Sequence, residues 1–71
     1  MAIFRLHRGS LEESMKTACE VNSFADINAI IAPDKVVSVE KYGHDARINW
    51  DTYLVRTEYG VAGMTNGPVS P

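Results

Sequence analysis

The stretch Trp50-Asp51-Thr52-Tyr53-Leu54-Val55-Arg56-Thr57 decides how the rest of the chain is read. Its aromatic and β-branched residues favour a pleated strand. Side chains alternate between the two faces of a strand. Trp50 and Leu54 therefore share one side, and Tyr53 and Val55 the other. Both sides carry apolar bulk. A sheet containing such a strand needs cover on two faces, and a large apolar face left open usually marks a contact with another molecule.

Working outward, Glu58-Tyr59-Gly60 reads as a turn and Gly60 to Thr65 as a short last strand. Asn66-Gly67-Pro68 breaks the pattern, so residues 1–66 make one domain and 67–71 a tail expected to fray. Upstream, Lys35 to Tyr42 reads as a strand with Val37 and Val39 on one face and Ser38 and Glu40 on the other. Phe24 to Ala32 is expected to be a helix. Phe24, Ile27, Ile30 and Ile31 form its apolar stripe, Asp26 and Asn28 face water, and Pro33 stops it. Ala2 to His7 alternates as a strand, with Phe4 and Leu6 on one face and Arg5 and His7 on the other; Ile3 joins the second face.

The segment between Ser10 and Val21 supports two readings. Ser10-Leu11-Glu12-Glu13 has the form of a capping box, with Leu11, Met15 and Ala18 at helical spacing. Met15, Thr17, Cys19 and Val21 also alternate as a half-buried strand would. Ser23 and Asp26 begin the next helix, leaving no room for a long helix and its stop. A short turn at Leu11 to Ser14 followed by a strand from Met15 to Val21 is therefore expected. The whole is an α+β domain of ββαβββ order, with four to five mainly antiparallel strands and one helix on one face. That helix would be about 14 Å long, too short to roof the sheet.

Composition narrows the function. A chain of 71 residues is one domain, and at this size it buries only about 60% of its unfolded surface. Cys19 is the only cysteine, which excludes an internal disulfide, and it is expected to be an inert core residue. The apolar fraction of 45% fits a folded globule. Either the core is efficiently packed, or part of the apolar surface is shared between copies, as in a homodimer, or with a partner. The net charge is −2 and the basic residues form no run, which argues against direct nucleic-acid binding. No apolar run reaches membrane-spanning length. The charged N-terminal stretch does not read as a secretory leader, so a cytoplasmic location is expected.

The connection Tyr42-Gly43-His44-Asp45-Ala46-Arg47-Ile48-Asn49-Trp50-Asp51-Thr52 holds the only tryptophan, one of two histidines, two aspartates and an arginine. Arg47 could pair with Asp45 or Asp51 and simply lock the loop, with Trp50 burying its ring. Alternatively, Tyr42, His44, Asp45, Arg47, Trp50 and Tyr53 form a partner-binding surface, because Arg, Tyr and Trp dominate binding hot spots. Arg8, Gly9 and Ser10 are a candidate anion cradle, with glycine permitting close approach and the neighbours supplying donors. Two histidines without ligand spacing make no metal site, and Ser10, Ser14 and Cys19 lack a histidine at a telling position. No catalytic residues, cofactor or metal are assigned, and the chain is not expected to be an enzyme.

Three blocks of the chain stand out as motifs. The N-terminal block is Arg8-Gly9-Ser10-Leu11-x-Glu13-Ser14-Met15-x-Thr17. The central one is Tyr42-Gly43-x-Asp45-x-Arg47-Ile48-x-Trp50-Asp51-Thr52-Tyr53-x-Val55. The closing block is Tyr59-Gly60-Val61-x-Gly63-x-x-x-Gly67-Pro68. Together these blocks resemble those of short phage- and prophage-encoded proteins of unassigned function, although Asn66 stands where that pattern has an aspartate. The resemblance implies a mobile-element origin and supports a strand over Met15 to Val21; it transfers no activity. The function expected is a non-enzymatic phage or prophage accessory protein that binds and modulates a host protein, such as a defence complex. The alternative is a small oligomeric sponge for an anionic nucleotide, in which Arg8 and Arg47 would meet across a subunit interface.

Overall fold

The computed structural model describes the backbone of residues 1–71 and every side chain except that of Leu11. Seven elements follow in the order β1 (Ala2–Leu6), α1 (Leu11–Met15), β2 (Cys19–Val21), α2 (Phe24–Ile31), β3 (Ser38–Asp45), β4 (Trp50–Thr57) and β5 (Gly60–Thr65). The strands form one sheet in the order β2-β1-β5-β4-β3. Every neighbouring pair is antiparallel. The α+β class and the last two strands follow the sequence reading; β3 begins and ends three residues later than the Lys35 to Tyr42 strand expected, and the ββαβββ order does not hold. A second helix intervenes between β1 and β2.

That helix replaces part of the expected strand. The Ser10 hydroxyl accepts a hydrogen bond from the Glu13 amide, so the N-cap signal is realised and one full turn forms. The chain then reaches β2 only at Cys19, not at Met15. Two side chains hold the intervening stretch against β1. Ser14 Oγ accepts from the Arg8 amide and donates to the Arg8 carbonyl, and Thr17 Oγ1 accepts from the Leu6 amide. Thr17 thus supplies the acceptor that a neighbouring strand would have offered. Cys19 is exposed on the three-residue edge strand, so its assignment to the core is wrong.

Ala2, Phe4, Val21, Ile27 and Val55 form the buried core, with Leu6, Ile31, Val36, Val39 and Val69 packed against it. Only Ile27 of the α2 stripe is fully buried; Ile30, at 39% exposure, lies at its open margin. Eight residues make barely two turns, and one side chain per turn reaches the sheet. Asn28 is not simply solvated. Its Oδ1 accepts from the Val36 amide at 2.9 Å and fastens the connection into β3. The tail expected to fray runs beside the start of α2: the Phe24 amide donates to Ser70 O at 2.8 Å, and Thr65 Oγ1 donates to Gly67 O.

The face of β4 away from this core is less bare than its sequence suggests. Trp50 and Leu54 are half-buried within the single chain. The strongly exposed large apolar residues lie elsewhere, including Val37 and Tyr59, which border a cavity of about 290 Å³ beside Pro33 and Lys35. Among the described residues, no helix is long and apolar enough to cross a membrane.

Candidate binding site at the β3–β4 hairpin

The stretch 42–52 is the end of a long hairpin, with only Ala46 to Asn49 outside the strands. Asn49 takes a left-handed conformation, φ +50°, which asparagine tolerates better than most residues. Lys41 faces Tyr53 and Gly43 faces Thr52, so Tyr42 is an extra residue in β3. Such a bulge bends and twists its strand. Beyond it the hairpin end leans over the sheet. Asp45, Ala46 and Arg47 border one open cavity of about 430 Å³ together with Arg5 of β1 and Met64 of β5.

Strand alternation put Arg5 on the face opposite Phe4 and Leu6, and it is only 1% exposed there. Arg5, Met64 and Leu54 stand in register on three adjacent strands, on the face opposite Phe4 and Val55. The guanidinium lies under Trp50, with Cζ 4.9 Å from the ring centroid, in cation–π contact. Among the described residues, Nε and Nη1 of Arg5 and Nε1 of Trp50 are buried without a hydrogen-bond partner. Burial lowers the Arg5 pKa from the ordinary arginine value, with Asp45 opposing that shift and Arg47 adding to it. Arginine starts so far above neutrality that the group stays charged.

Arg47 does what the locking interpretation of the loop requires. Its amide and Nε donate to Asp45 Oδ1 at 3.0 and 3.2 Å, and Nη2 donates to Oδ2 at 3.2 Å. Asp51 is instead within 3.0 Å of His44 Nδ1, directly across the hairpin. The hydrogen bond from Arg47 is the chief reason the Asp45 carboxyl lies below its usual range, and the same bond raises the Arg47 pKa. Because the folded carboxyl is the stronger acid, this clamp favours the native hairpin above the ordinary aspartate range. Its contribution disappears as pH falls through the lowered Asp45 value. Carboxyl-carbon NMR titration should show Asp45 as an unusually acidic aspartate, with the hairpin-end amides shifting in the same step. An Asp45 midpoint at the ordinary value would contradict the clamp.

Of the residues assigned to partner binding, Tyr42, His44, Asp45 and Arg47 border the same cavity, and Trp50 joins them through Arg5. Tyr53 does not. It pairs with Lys41 and Thr65 on the core side of the sheet, three residues from Trp50 and hence on the other face. The Arg8-Gly9-Ser10 turn lies outside this cavity's lining. Ser10 caps α1, and the Glu13 carboxylate sits where a side chain on Gly9, φ +52°, would project. Sequence reasoning missed Arg5. The usable signal was that the Trp50 and Leu54 face of β4 must continue across the sheet onto the Ile3 and Arg5 face of β1. Comparison with known proteins identifies no relative: no family model, curated protein or solved structure matches this chain.

Proposed function

We propose that this chain is a non-enzymatic phage or prophage accessory protein that engages a host protein through the end of the β3–β4 hairpin. The observation that carries the reading is the convergence of Tyr42, His44 and Arg47 around one cavity at the hairpin end. Tyr42 is 75% exposed at the bulge and Arg47 extends its stem into solvent, so neither is spent on the core. Exposed tyrosine and arginine beside a concave surface are the usual anchors of a protein interface. Modulation of a host defence complex is the role this accessory reading implies.

A tagged copy should retain a discrete partner from host lysate, and Tyr42→Ala and Arg47→Ala should each reduce its recovery by roughly tenfold, the equivalent of about 1.4 kcal/mol. Equal recovery by both variants would remove the hairpin from the interface. One observation favours the second reading, an oligomeric binder of an anionic nucleotide: Arg5 and Arg47 border the same cavity. Arg8 does not join them, and the pairing of two arginines arises within one chain.

A further inference from the structure

The hairpin cavity combines features that a surface used only for shape complementarity would not need. Arg5 is a buried cation whose Nε and Nη1 have no acceptor among the described residues; the indole N–H of Trp50, which lies against Arg5 but outside the cavity lining, is in the same condition. The Arg5 guanidinium and the Trp50 ring are 4.9 Å apart, so these orphan donors are close neighbours. Arg47 adds a second guanidinium at the rim, and Thr52, 6% exposed, contributes a residue to the lining. Asp45 is the one carboxylate there, and Arg47 already occupies both of its oxygens. Two arginines against one aspartate leave an excess of one positive charge.

We propose that the cavity is a carboxylate-binding site, and that its occupant is a glutamate or aspartate side chain of the partner protein. This deepens the hairpin reading and rests on it. A single carboxylate matches the excess charge, whereas a nucleotide polyphosphate would exceed it. Guanidinium groups suit a carboxylate in geometry as well as in charge, because the planar fork meets two oxygens at once. An incoming carboxylate competes with Asp45 for Arg47 and gives one of the two unpartnered Arg5 donors its acceptor, with Nη2 completing the fork. Trp50 covers Arg5, so the indole must shift as the carboxylate enters. It is therefore the reporter of occupancy.

The test is a titration of the isotope-labelled full chain, following the Trp50 indole N–H and the Arg5 Nε–H resonances. The probes are a blocked tripeptide with central glutamate, its glutamine counterpart, sodium acetate and inorganic phosphate. The glutamate peptide should shift both resonances saturably and at least tenfold more tightly than acetate; the glutamine peptide should shift neither. Arg5→Lys, which keeps the charge but loses the fork, should weaken the glutamate peptide about tenfold while its spectrum otherwise stays folded. Equal response to glutamine, no response to any probe, or acetate matching the peptide would overturn the proposal. Tighter saturation by phosphate would overturn it in favour of a phosphorylated ligand. Lysate capture through Tyr42 and Arg47 can succeed when this titration fails, so the two readings fall separately.

Discussion

Gly63→Val is expected to destabilise the fold by about 3 kcal/mol, the upper end of the usual overpacking range. Gly63 lies in β5 between Leu6 of β1 and Val55 of β4, in the middle of the sheet. A β-carbon there would collide with the Arg5 carbonyl oxygen and with the edge of the Phe4 ring. The carbonyl belongs to the adjoining strand and cannot withdraw without moving β1. The ring is fully buried and has nowhere to turn. A domain of this length holds only about 4–11 kcal/mol of total stability, so the loss is a large share of it. Urea denaturation would read the change, with Gly63→Ala destabilised in the same direction by a smaller amount. An unchanged midpoint for both variants would mean that Phe4 does not occupy the space over Gly63.

Arg5→Met is expected to act in the opposite sense, raising stability by about 1–2 kcal/mol while abolishing carboxylate binding. Two opposing contributions decide the sign. The cation–π contact with Trp50 contributes roughly 2 kcal/mol when desolvated. Against it, each buried donor without an acceptor costs about 1–3 kcal/mol, and Arg5 has two. Methionine fills much of the same volume, keeps a sulfur against the indole and needs no partner. Denaturation in urea gives the stability and the glutamate-peptide titration gives the binding. A variant less stable than the parent would show that the guanidinium serves the fold and not a ligand.

Several elements were legible because the local signal and the tertiary demand agree. Trp50 to Thr57 and Gly60 to Thr65 coincide with β4 and β5, and Pro33 marks the end of α2 within two residues. The segment after Ser10 misled because its two periodicities are both real. The cap at Ser10 governs the first turn, and the alternation holds only from Cys19, where β1 supplies a partner. The strand reading of Met15 to Thr17 failed because Thr17 bonds Leu6 through its side chain. The hairpin was read as an irregular connection because glycine and charged residues crowd it, although cross-strand pairing continues to Asp45 and Trp50.

The site was half legible for a related reason. Residue type drew attention to Tyr42, Arg47 and Trp50, and the pairing of Arg47 with Asp45 was one of the stated alternatives. Tyr53 was drawn in by type alone, although the strand period already places it opposite Trp50. Arg5 could not be recognised from its own neighbourhood, since an arginine alternating with Phe4 and Leu6 looks solvated. Its burial depends on β4 lying two strands away and on a bulge that brings the hairpin end across. Neither has a signature within the first ten residues.

The strand order also dictates how the molecule must assemble. Strands β3, β4 and β5 are joined by short turns and can zip up from local encounters. The seam between β1 and β5, by contrast, matches Phe4 with Thr65 and Leu6 with Gly63. Closing a loop of that span is the entropically slow step of such a topology. Until it closes, the meander shows an unpaired β5 flank and Phe4 has no glycine to lie upon. The first strand of the chain is thus expected to be the last to find its place, and the Arg5 pocket to come into being only with that final closure.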